Sequence, residues 1–169
     1  MKTFKEYLEE SSLSRIKSKS DKGGMAIISG SRADKSAKEN RARAKQLDRD
    51  IKGKGLPGAT KVQGRWDETD DKTGKTTKVK ERSHVVTSGK KSKRKFKKAI
   101  KALGKKYGQD AVLTQTKKTG TLSATRKGGL GKDSQGKDVK RAKAGTMKPG
   151  RTSSYGDTKI KGKTFTYSQ

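Results

Sequence analysis

Ser92-Lys-Arg-Lys-Phe-Lys-Lys-Ala-Ile-Lys-Ala-Leu-Gly-Lys-Lys-Tyr-Gly108 sets its large apolar residues at Phe96, Ile100, Leu103 and Tyr107. Spacings of 4, 3 and 4 bring them to one face of a 3.6-residue period, so the stretch predicts an amphipathic helix. Ser92 is suited to accept the first orphan amide, and Gly108 to close the last turn. Such a helix is too cationic to stand alone and needs an apolar sheet to lie on.

The flanking sequence supplies that sheet. Met25-Ala-Ile-Ile28 reads as a buried strand. Asp34 or Ser36 caps a first helix running to about Lys52, with Ala37, Ala44, Leu47 and Ile51 on its inner face. The loop Gly53 to Gly58 follows. Ala59 to Asp67 and Lys78 to Ser88 form a hairpin around the acidic turn Glu68 to Gly74. Beyond the second helix, Ala111 to Thr116 and Thr121 to Arg126 form another strand pair. The expectation is an α+β fold, a small β-α-β-β-α-β-β sandwich with flexible basic N- and C-terminal segments. Its parts are a leader-like helix (1–10), a basic linker (11–24), the small α/β domain (25–126) and a cationic Gly/Ser/Thr-rich tail (127–169).

Composition sharpens this division. Leu, Ile, Val and Phe total 23 of 169 residues, and 15 of those lie within residues 25–126. So low a share, with high net charge, otherwise signals disorder. Lys and Arg number 46 against 17 acidic residues, a formal charge of +29. Residues 127–169 alone carry +8. A polyanion screens such self-repulsion, and duplex nucleic acid is the densest one available. There is no apolar stretch of membrane-spanning length. The absence of cysteine excludes disulfides and thiolate chemistry.

Lys90, Lys91, Lys93, Arg94, Lys95, Lys97, Lys98 and Lys101 form the densest basic run, with Lys140, Arg141 and Lys143 a second cluster. On a helix Lys93, Lys97 and Lys101 share one face, where repulsion at i, i+4 is relieved by phosphates. Lysine favours backbone contact over base reading, so the expected binding is non-specific. Few aromatics are available for base stacking, and Trp66 is expected to pack in the hairpin. Gly53-x-Gly55-x-x-Gly58 matches a dinucleotide fingerprint only formally, because it follows a helix and contains Pro57. Gly74-Lys75-Thr76 lacks the upstream glycine of a P-loop. Asp67, Glu68, Asp70 and Asp71 have the wrong spacing for an EF-hand and read as a hairpin tip. His84 is the single histidine, and Glu81 and Ser83 fall on the opposite strand face, so no hydrolytic triad assembles there. The residues therefore predict no catalytic site, no metal site and no cofactor.

Met1-Lys-Thr-Phe-Lys-Glu-Tyr-Leu-Glu-Glu-Ser11 resembles the capsid-targeting leader of internal head proteins of large tailed phages. The resemblance implies docking on capsid or scaffold in a prohead. It also implies cutting by the prohead protease after Leu8-Glu9-Glu10, leaving Ser11 as the first mature residue. The middle region, through Ala26-Ile-Ile-Ser-Gly30, Glu39-Asn-Arg41, Glu81-Arg-Ser-His-Val-Val86 and Tyr107-Gly-Gln-Asp-Ala-Val112, resembles an uncharacterised phage and bacterial domain family. That second resemblance implies no activity.

The combined expectation is a non-enzymatic virion protein of the head interior that binds double-stranded DNA. A cytoplasmic phase in the infected host accompanies it, and no membrane partner is expected. The alternatives are a host-interaction protein binding an acidic host factor or RNA, or a capsid or tail protein with a threading basic arm.

Overall fold

The computed structural model describes residues 14–69, 73–116, 119–150, 157–160 and 163–168. A first helix, α1, covers residues 14–22. After it come β1 (Met25–Ser29), α2 (Ala37–Gly53), β2 (Thr60–Thr69), β3 (Thr76–Thr87) and α3 (Lys93–Lys106). The chain continues through β4 (Ala111–Gln115), β5 (Thr119–Ala124), β6 (Arg141–Pro149), β7 (Asp157–Ile160) and β8 (Lys163–Ser168).

From β1 to β5 the elements follow the order read from the sequence, and the chain is α+β. Ser36 caps α2 in a reciprocal box with Glu39, and Ser92 caps α3 by accepting from Lys95 N–H. The inner residues of α3, Phe96, Ile100 and Leu103, are essentially inaccessible. They pack with Leu47 and Ile51 of α2 against Ala26, Ile28, Val86 and Val112 on the outer face of the sheet.

The sandwich and the free C-terminal arm are corrected by the topology. The eight strands close into an antiparallel barrel in the order β1-β3-β2-β7-β8-β6-β5-β4, with β1 and β4 pairing across the seam. Residues 127–169, expected as a cationic tail, supply β6, β7 and β8. Pairing is the physical reason. An open five-stranded sheet would leave the β2 and β5 edges with unmet amides, and β7 and β6 satisfy them. The basic residues of β6 do not obstruct this, because exposed Arg141 and Lys143 alternate with half-buried Ala142 and Ala144.

A second apolar cluster fills one end of the lumen. Met25, Val62, Val85 and Phe165 meet there with Ile16 of α1, which covers that end.

Candidate functional site

A barrel of eight strands is just wide enough to be filled by side chains or to hold one small ligand. Here the two ends differ. At the α1 end the lumen is plugged, and a polar chain runs through the plug. Tyr167 O–H donates to Gln115 Oε1 at 2.6 Å, and Gln115 Nε2 donates to Ser20 Oγ at 3.3 Å. Ser20 in turn donates to the Lys17 carbonyl at 2.7 Å. Burial, chiefly, pushes the Tyr167 phenol upward, so it stays a neutral donor. Gly120 makes room for the ring, because a Cβ there would come within 2.7 Å of Tyr167 Cε1.

At the other end the lumen opens into a cavity of about 1680 Å³. That exceeds the roughly 300–1000 Å³ of an ordinary small-molecule pocket, because lumen and mouth merge. Ile27, Leu113, Leu122 and Ala144 give it apolar walls, with Tyr167 on the plugged side. Register places Glu81 on the same face. Val85 pairs with Ile27, Ser83 with Ser29, and Glu81 is the next inward position, opposite Gly64. A half-buried carboxylate thus faces a chamber lined by apolar and charged side chains alike, Arg65, Arg126 and Lys143 among the latter.

The mouth is formed by two loops, residues 30–36 between β1 and α2 and residues 107–110 between α3 and β4. Ion pairs border it: Arg32 Nε to Asp34 Oδ1 at 2.8 Å, and Arg126 Nε to Asp110 Oδ1 at 2.6 Å. The Arg32 hydrogen bond, foremost, holds the Asp34 carboxyl below its ordinary range. Asn40 shapes the first loop by accepting from Arg32 N–H and donating to the Arg32 and Lys35 carbonyls. Thr125 O–H donates to the Gln109 carbonyl, fastening the second loop to the residue after β5.

His84 faces away from this chamber. It is 1% exposed between β3 and α2, with Nε2 3.2 Å from Asp48 Oδ1 but off the line of a hydrogen bond. Lys61 reaches the other Asp48 oxygen at 3.2 Å.

Lys93, Arg94, Lys95, Lys97, Lys98 and Lys101 lie exposed along α3, and Lys90 and Lys91 lie in the turn before it. None of them lines the cavity. Lys143 does, while Lys140 and Arg141 are exposed at the start of β6. The structure therefore does not gather the two basic clusters at the chamber. Leu8, Glu10 and Ser11 lie outside the described residues, as do Asp70 and Asp71. Among the described residues there is no group of three or more acidic or histidine side chains placed for a metal. Nor, among them, is any helix long and apolar enough to cross a membrane. Glu81, Tyr167 and Arg32 are among the chamber and mouth residues that sequence reasoning did not select. For Glu81 the available signal was its alternation with Ser83 and Val85.

The family model of the S-adenosylmethionine lyase family matches residues 26–169. A solved structure described as a phage SAM lyase in complex with S-methyl-5'-thioadenosine is similar at 16% identity, covering 71% of this chain and 85% of that one, with a TM-score of 0.40. No curated protein matches. The family match overturns the expectation of a non-enzymatic, DNA-binding head protein, and with it the internal-head-protein and uncharacterised-domain resemblances. High charge reports that a polyanion is tolerated, whereas the match extends over the barrel itself. The partners expected from charge, duplex DNA, and from the leader resemblance, capsid or scaffold and the prohead protease, fall with that expectation.

Proposed function

This chain belongs to the S-adenosylmethionine lyase family, and on that premise we propose that it breaks a carbon–sulfur bond of S-adenosylmethionine and releases S-methyl-5'-thioadenosine. The observation that carries this reading is Glu81, a carboxylate facing the open-ended half of the lumen beside the apolar patch of Ile27, Leu113 and Leu122. The substrate is cationic at its sulfonium and its ammonium groups and anionic at one carboxylate. When the bond between sulfur and the aminobutyryl carbon breaks, the electron pair stays on sulfur, which becomes a neutral thioether. A lyase adds no water, so an oxygen of the fragment's own carboxylate forms the new bond to the carbon that loses sulfur, and the fragment leaves as a lactone with its ammonium group intact.

Each wall has a part in that step. Glu81 draws the ammonium end into the chamber and fixes its orientation. The sulfonium then lies against Ile27, Leu113 and Leu122. Positive charge disperses as the bond breaks, so an apolar wall disfavours the bound cation more than the transition state. Tyr167, held neutral, offers a flat ring on which an adenine can stack. Of the locations expected from the sequence, the host cytoplasm is the one where this substrate is dissolved.

The test is incubation of the full chain with S-adenosylmethionine and chromatographic separation of the products. S-methyl-5'-thioadenosine should accumulate in proportion to substrate lost. Glu81→Gln should lower kcat/KM by roughly 100-fold while keeping the far-ultraviolet dichroism of the parent. No thioether product from the parent chain, or full activity in Glu81→Gln, would defeat the reading.

A further inference from the structure

Beyond the paired residues Ile27 and Leu113, the two mouth loops have no strand pairing to hold them together. A side chain from α2 does so instead. Arg43 Nε donates to the Gly30 carbonyl at 2.6 Å, and Arg43 Nη2 donates to the Tyr107 carbonyl at 2.6 Å. One planar fork therefore spans the end of β1 and the end of α3, with its carbon 5.4 Å from the Tyr107 ring centroid. Two weaker stitches run the same way. Arg32 Nη1 donates to the Gly108 carbonyl at 3.0 Å, and Gln109 Nε2 to the Ser31 carbonyl at 3.2 Å. Arg43 itself does not line the cavity, but residues of both loops it joins do. Its platform is rigid, because Leu47 and Ile51 anchor α2 with no exposure at all.

Resting on the lyase reading, we propose that Arg43 is a positioning residue for the substrate: its guanidinium sets the spacing of the mouth loops around the chamber. Such a residue contributes to binding of ground state and transition state alike. Its loss therefore appears in KM and not in kcat. Lysine is not an equivalent replacement, since an ammonium group cannot present two coplanar donors to separate carbonyls.

The experiment compares the parent with Arg43→Ala and Arg43→Lys in steady-state kinetics and in hydrogen exchange of the free proteins. Arg43→Ala should raise KM for S-adenosylmethionine about tenfold with kcat held within about twofold, and Arg43→Lys should fall between it and the parent. Amides of residues 30–36 and 107–110 should lose protection together while the barrel strands keep theirs. An unchanged KM in Arg43→Ala, with the parent active, would overturn the positioning role and leave the lyase reading standing. Equal losses in kcat and KM with faster exchange throughout the barrel would mark a merely structural residue and overturn it too. A parent chain that releases no thioether product would instead bring down the lyase reading, and the positioning role with it.

Discussion

His84 and Glu81 stand three positions apart on β3 and serve opposite sides of the barrel wall. His84 faces α2, where burial foremost lowers its pKa from the ordinary 6.5, Asp48 opposes that shift and Lys61 adds to it. A histidine that resists protonation in the folded state makes stability depend on pH in one direction. Above about pH 6.5 the ring is neutral folded or unfolded and the dependence vanishes; below that value the unfolded chain takes up the proton first. Melting temperature should therefore be flat from about pH 7 to 9 and fall as pH drops below about 6.5. The depressed carboxyls of Asp34, Glu39 and Asp50 do not confuse that window, since their ordinary values are 3.8, 4.5 and 3.8. His84→Leu should remove the slope; a slope unchanged in that variant would assign it to another group. The opposite facing of these two residues is legible in the sequence from strand alternation alone. Which of the two faces becomes a ligand chamber is not, because that is settled only when β6, β7 and β8 close the lumen. Glu81 reads as a bystander until the barrel exists.

Elements differ in how openly the sequence announces them. Helix α3 is readable because Phe96, Ile100 and Leu103 recur at helical spacing, and β1 to β5 because each holds β-branched or large apolar residues. Strand β6, Arg-Ala-Lys-Ala-Gly-Thr-Met-Lys-Pro, is not readable in that way. Its inward positions are small because they abut a chamber, so the hydrophobic period that marks a strand is faint. The alternation of Lys159 to Tyr167 is visible, but its pairing with β2 and β6 is a long-range fact. Fine packing is equally hidden. Gly104 sits in the last turns of α3, where alanine ordinarily adds about 1 kcal/mol of helix stability. Here a Cβ would overlap Val112 Cγ1 and come within 2.8 Å of Thr125 Cγ2. Val112 is β-branched and held in a strand, so it cannot swing aside. Overpacking of that kind costs about 1–3 kcal/mol, enough to reverse the sign. Gly104→Ala should lower the urea midpoint, corresponding to a net loss of up to about 2 kcal/mol. Gly53→Ala, with nothing within 4 Å of the added carbon, should leave the midpoint unchanged or raise it. Equal effects at both glycines would mean that backbone freedom, and not packing, decides their cost.

The molecule as a whole sets its charge against its substrate. A chain of formal charge +29 repels a metabolite that is itself net positive, while the carboxylate in the chamber pulls the other way. The two forces respond unequally to salt. Glu81 acts at contact distance in a half-buried site, where mobile ions screen poorly. The exposed lysines of α3, outside the cavity lining, act from a distance, through solvent, where screening is efficient. Between about 0.01 M and 0.15 M salt the Debye length falls from about 30 Å to about 8 Å, which removes most of the distant repulsion and little of the local attraction. Raising salt across that range should therefore lower KM for S-adenosylmethionine and raise kcat/KM several-fold, the reverse of what an oppositely charged enzyme and substrate show. The thioether product is neutral and provides the internal control: its inhibition constant should stay constant over the same range. A kcat/KM that falls with salt would mean that local attraction dominates capture. A product constant that moves in step with KM would mean that salt acts on the fold and not on the field.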